Sequence, residues 1–171
     1  MRYDTENPWK LFAEQMGATY RLSDEGMSEV IGNYQNFPFV MKMILVQAAP
    51  KVNLFLTHID ITLKNNVDLK LKIYREGIIQ KLTKLFGTQD IIFKDRVFDK
   101  KYIIEGSDEP LVIQIVSPSI RAKIIELGEI LMILDGNTLT YEQSGKVVDF
   151  KKLALIFDML TELATKIESL A

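Results

Sequence analysis

The period of the hydrophobic positions changes several times along this chain, and each change predicts an element. Trp9, Phe12, Ala13 and Met16 fall at i, i+3, i+4 and i+7, the spacing of one helix face. Asn7 ahead of Pro8 offers a cap and a proline at the first helical position, and Gly17 offers a stop. The spacing predicts a short amphipathic helix over residues 8–17.

From 18 to 75 the period shortens. ATYRLSD, MSEVIGNYQ, FPFVMKMILVQ, VNLFLTHIDITLK and VDLKLKIYR are rich in β-branched and aromatic residues, which favour strands. Asp24-Glu25-Gly26, Asn36-Phe37-Pro38, Ala49-Pro50 and Asn65-Asn66 separate them as turns. The last run alternates most cleanly: Val67, Leu69, Leu71 and Ile73 share one face, and Asp68, Lys70, Lys72 and Tyr74 the other. The first face is expected in the core and the second in water. Connections this short exclude helical crossovers, so an antiparallel meander of about five strands is expected.

Residues 76–128 read as helix, strand and helix. Ile78, Ile79, Leu82, Leu85 and Phe86 form a helical stripe between Gly77 and Gly87. After a short DIIF run, VFDKKYIIE reads as a strand with Phe98, Tyr102 and Ile104 inward, and Gly106 reads as its turn. Ser107 or Asp108 caps a helix that Pro110 begins, and Ser117-Pro118 repeats the device, so 109–127 is expected as two helical pieces. Gly128 ends the second. Residues 129–145 are a hairpin turning at Asp135-Gly136-Asn137. Asp149 caps a final helix over 149–170, whose stripe of Phe150, Leu153, Ala154, Phe157, Leu160, Leu163, Ala164 and Ile167 must be covered. That stripe is wider than a strict a/d seam, which favours packing on its own sheet over a homodimer seam.

Strands in a run followed by mixed units predict an α+β fold, a largely antiparallel sheet packed against amphipathic helices in a single domain over 1–171. Glu76-Gly77 and Glu105-Gly106 each end a strand-like run, 29 residues apart. Two strand-to-helix turns reaching the same solution is the preferred reading over an internal duplication.

Composition narrows the chemistry. The 171 residues contain no cysteine, which excludes disulfides, thiolate nucleophiles and Cys-ligated metal centres. No stretch is apolar enough for a transmembrane helix, MRYDTENPWK lacks the apolar core of a signal peptide, and a cytoplasmic location is expected. The net charge of −2 divides unevenly: residues 64–101 hold ten basic and five acidic residues, +5, and the rest eleven and eighteen, −7. A solvated face is the preferred account of the basic stretch.

The one histidine, His58, lies two residues before Asp60 and four before Thr62 on one strand face. That row could orient a general base, or it is a hydrogen-bonded polar row on a strand. The second reading is preferred, because no nucleophile stands nearby. Asp90, Asp95 and Asp99 could offer oxygen ligands to a hard cation, but their spacing is not that of a Ca²⁺ loop. Lys94, Arg96, Lys100 and Lys101 stand ready as ionic partners, so no metal is expected. Glycine-rich phosphate loops, GxSxG and HExxH are absent from the sequence, so no cofactor is expected either. Lys70, Lys72 and Tyr74 form a basic strand face with one aromatic, the minimum for single-stranded nucleic acid. The acidic balance disfavours that partner.

The run from Tyr74 to Leu127 resembles a pattern in a family of uncharacterised prokaryotic proteins. There a helix is followed by G-x-x-D-I, a phrase close to F-D-x-x-Y/F-x-I-x-G-x-D, and a leucine-rich helix. The matching residues are Gly87, Asp90, Ile91, Phe98, Asp99, Tyr102, Ile104, Gly106 and Asp108, and VIGNYQNFPFVMKM is similar to the strand pair that precedes them. The resemblance spans about residues 28–127. It implies an intact α+β domain and brings no activity, cofactor or catalytic residue.

Binding without catalysis is therefore the expected function, through a sheet face or a sheet–helix cleft. A protein partner or a small apolar ligand would be the occupant. Met27, Met41, Met43, Phe37 and Phe39 offer adaptable apolar surface, with core packing the preferred account of each. The alternative is a weakly marked enzyme with His58, Asp60 or Asp99 in a pocket. The third reading is single-stranded nucleic acid on the basic strand 67–75.

Overall fold

The structure, a computed structural model, describes residues 7–75 and 89–170. The stripe expected over 78–86 lies outside the described residues. The order is α1 (Pro8–Met16), β1 (Thr19–Leu22), β2 (Ser28–Tyr34), β3 (Phe37–Ala49), β4 (Val52–Thr62), β5 (Leu71–Arg75), β6 (Gln89–Asp90), α2 (Arg96–Lys101), β7 (Tyr102–Gly106), α3 (Glu109–Ile115), α4 (Pro118–Leu127), β8 (Leu131–Asp135), β9 (Thr138–Ser144) and α5 (Phe150–Ser169).

The fold is α+β. One antiparallel sheet has the order β1-β2-β3-β4-β9-β8-β5-β7-β6. The expected meander runs through four strands and is then interrupted. The β8–β9 hairpin inserts between β4 and β5, so the fifth strand joins the sheet through β8 instead of β4. β5 is also shorter than expected, beginning at Leu71 instead of Val67.

The caps fall where the sequence places them. Asn7, Asp108, Ser117 and Asp149 each accept a backbone N–H of the helix they open, satisfying donors that lack a helical partner. Gly17 ends α1 in the left-handed conformation, φ 64°. One expectation is corrected. Residues 96–101 are helix, and the strand begins only at Tyr102. Asp95 sets this boundary by accepting the Phe98 N–H at 3.2 Å. Phe98, Tyr102 and Ile104 are still all buried, because the helix-to-strand junction turns each inward. Gly106 is likewise not a turn. It is the last residue of β7, paired with Leu71 and Gln89, where a Cβ would meet Ile91 Cδ1 and Val112 Cγ2, each at 2.7 Å.

The helices cover one sheet face. Met41, Ile59, Ile61, Leu139, Tyr141, Met132, Leu134, Leu71, Ile73 and Ile104 point into one core with the buried residues of α1, α3, α4 and α5. Phe157 of α5 is the hub, its ring centroid 5.5 Å from Phe12, 5.3 Å from Tyr34 and 4.7 Å from Phe39. Such aromatic pairs add to plain area burial. The stripe on α5 is buried as expected, except that Ala154 is exposed and Phe150 is partly buried.

Candidate functional site

Alternation fixes which side chains reach the other face. The strand register aligns Arg21, Glu29, Lys42, His58 and Glu142 in one row across β1, β2, β3, β4 and β9. The row beside it runs Ile31, Val40, Asp60, Thr140. Opposite charges meet at both ends of the first row: Arg21 pairs with Glu29, and His58 with Glu142.

His58 is held from both sides. Its Nδ1 lies 2.8 Å from Glu142 Oε1 and its Nε2 2.9 Å from Asp60 Oδ2. Thr140 donates to the other Asp60 oxygen at 2.7 Å. Burial disfavours the charged ring, but hydrogen bonds and attraction from Asp60 and Glu142 outweigh it and raise the pKa to about 9. Asp60 is also half-buried, yet His58, Thr140 and Lys42 hold its carboxyl below the usual range. An imidazolium that donates from both nitrogens at neutral pH is an ionic crosslink. A general base needs an open nitrogen and a pKa near the working pH. His58 and Asp60 do share one face, as the i, i+2 spacing expects, while Glu142 comes from 84 residues away. Thr62, expected to continue that face, lies at the exposed end of β4, paired with Thr138.

Asp99 has a backbone role. Its Oδ1 accepts from Phe93 N–H and its Oδ2 from Asp95 N–H, each at 3.0 Å. Asp95 in turn takes Arg121 Nε at 3.0 Å and the α2 cap, which hold its carboxyl below the usual range. Asp99, Glu105 and Asp108 are not brought together: Asp108 caps α3, and Glu105 is buried beside Tyr74, whose hydroxyl donates to it at 3.3 Å. Among the described residues no cluster of three acids or histidines could hold a metal ion.

The basic strand differs from expectation. Lys72 is 2% exposed, with its ammonium 5.3 Å from the Tyr74 ring centroid. Lys70 precedes the strand and is half-buried. Lys70, Lys72 and Tyr74 therefore do not present an open basic face.

A second polar cluster went unseen in the sequence. Lys146 Nζ lies 3.1 Å from Ser28 Oγ and 3.2 Å from Asn7 Oδ1, above the Trp9 ring. Burial pushes its pKa down. Trp9 Nε1 donates to Val147 O at 2.7 Å. These contacts tie α1, β2 and the approach to α5 together.

Four exposed large apolar residues gather where β3 and β4 outrun their neighbours. β2 pairs with β3 only as far as Lys42, and β9 pairs with β4 from Thr57 onward, with Gly145 adding a bridge to Leu56 and donating to Phe55 O at 2.8 Å. The remaining hairpin, 43–56, is an arm. Its register pairs Ile44 with Leu56 and Val46 with Leu54 on one face, and Leu45 with Phe55 on the other. Leu45, Val52, Leu54 and Phe55 are 45%, 47%, 43% and 53% exposed. The free edge of β3 at Lys42, Met43, Ile44 and Leu45 floors a groove of about 450 Å³, walled by Ser23, Asp24, Glu25, Met27, Ser28 and Glu29. The absence of charge from Met43 to Ala49 is the signal in the sequence.

No helix among the described residues is long and apolar enough to cross a membrane. No protein-family model and no curated protein matches the chain. Among solved structures the chain is similar to the crystal structure of the mycobacterial trehalose monomycolate transport factor A, TtfA, with a TM-score of 0.64 at 9% identity, over 92% of this chain and 90% of that one. At that identity the likeness is one of fold.

Proposed function

We propose that this chain is a non-catalytic interaction module that takes an extended polypeptide strand along the free edge of β3, in the groove beside the β1–β2 turn. The arm is the observation that carries the reading. Large apolar side chains are exposed on both of its faces, and among the described residues no strand lies beyond Lys42 on the edge of β3 opposite β4. Free edges are ordinarily blunted by charge, proline or cover. Here Lys42, Pro50 and Lys51 flank the stretch, and nothing charged interrupts it. Adding a strand supplies main-chain hydrogen bonds, while alternate side chains select the sequence. A lipid bilayer fits the apolar faces but leaves the edge N–H and C=O groups without partners, which is costly in hydrocarbon. The fold shared with TtfA does not bear on the occupant.

Panning a displayed library of unstructured heptapeptides on the immobilised protein tests this reading. Wild type is expected to enrich sequences with alternating apolar positions, and Leu45→Lys to lose that enrichment. Equal enrichment on both proteins, or none on wild type, would overturn it.

A further inference from the structure

We infer that the strand received by β3 is the same segment of a second copy, so that two arms pair antiparallel about a two-fold axis. This rests on the strand-docking reading and adds the identity of the occupant. An isologous contact must be self-complementary, each residue meeting the mate of its own partner. The edge from Met43 to Ala49 meets that demand. It carries no charge, so antiparallel pairing near Val46 sets no like charges opposite each other. The turn residue Lys51 of each arm then extends toward the other copy's groove, whose lining carries Asp24, Glu25 and Glu29 and one base, Lys42. Glu29 already pairs with Arg21, so Asp24 and Glu25 are the acids that Lys51 would meet. Charge complementarity therefore reinforces the apolar pairing. Each face of the arm, with Leu45 and Phe55 on one side and Val46 and Leu54 on the other, would continue across the two-fold as a larger apolar surface. The arm projects past β2 and β9, so pairing needs no rearrangement of the core.

Sedimentation equilibrium over a wide range of concentration tests this, on wild type, Leu45→Lys, Leu45→Glu and an equal mixture of the two variants. Wild type is expected to be a dimer. Each variant alone should dissociate at least tenfold more readily, because like charges meet near the axis. The mixture should recover association. A monomeric wild type, or a dimer that both variants leave intact, would overturn the inference. A wild type that stays monomeric but enriches alternating peptides would sink the self-pairing alone and leave strand docking standing. Wild type that binds phosphatidylcholine–phosphatidylglycerol vesicles as a monomer, with binding lost in Leu45→Lys, would assign the arm to a lipid surface and overturn both.

Discussion

Asp99 and Asp95 cap one helix reciprocally: Asp95 accepts the Phe98 N–H of α2, and Asp99 reaches back from inside that helix to accept the N–H of Asp95 at 3.0 Å. The same carboxylate also takes the Phe93 N–H, so one side chain fixes the loop in which Lys94 adopts φ 58°. Replacing Asp99 with Asn turns one acceptor into a donor facing a backbone N–H. The expected loss is about 1–3 kcal/mol in urea unfolding, with faster amide exchange at Phe93 and Asp95. Unchanged exchange at those two amides would contradict the clamp.

The His58 crosslink makes stability depend on pH in a set direction. The folded pKa of about 9 stands above the ordinary imidazole value of 6.5. The contribution is therefore complete below the unfolded value and is lost as pH rises through about 9. With allowance for solvent screening it amounts to about 1–2 kcal/mol. Wild type is expected to lose that much stability between pH 6 and pH 9.5, and His58→Gln to lack this component. Parallel pH profiles for the two proteins would refute it.

Gly106→Ala would place a methyl group against Ile91 and Val112, each 2.7 Å from the new atom. Overpacking of this kind costs about 1–3 kcal/mol. A fall in thermal midpoint is expected, with the far-ultraviolet spectrum retained. An unchanged midpoint would show that the two side chains yield.

What was legible in the sequence was local. Asn7, Asp108, Ser117 and Asp149 declare caps because a cap is chemistry between neighbours. The β8–β9 turn is of the same kind. The insertion of that hairpin between β4 and β5 is not, since short connections favour sequential pairing and only the assembled core decides otherwise. Alternation misled twice. Phe98, Tyr102 and Ile104 read as one strand across a helix-to-strand junction that Asp95 sets by capping α2. Lys72 read as wet but is buried beside Tyr74 and Glu105, because both of its strand partners, Ile133 and Glu105, come from distant segments. His58 and Asp60 were legible as a pair, whereas Glu142, which completes the crosslink, arrives through the register of β9.

Position along β3 separates stability from binding. Met41 is fully buried, while Leu45, four residues on, is 45% exposed. Met41→Lys is expected to unfold the chain, because an unpaired charge would be buried. Leu45→Lys and Phe55→Lys are expected to stay within about 0.5 kcal/mol of wild type when all are compared at concentrations low enough to be monomeric. Far larger losses for the arm variants would mean that the arm packs on its own chain.

Amide hydrogen exchange along β3, at a protein concentration low enough to keep the chain monomeric, with and without a saturating peptide from the panning, tests strand docking most directly. In an antiparallel ladder alternate residues send N–H and C=O to opposite edges, and β4 already occupies one edge of β3. Protection is therefore expected at every second amide between Met43 and Gln47, ahead of the register irregularity between Gln47 and Ala49, and at few others. Protection centred instead on the His58 row or on the helices, or none along β3, would contradict it.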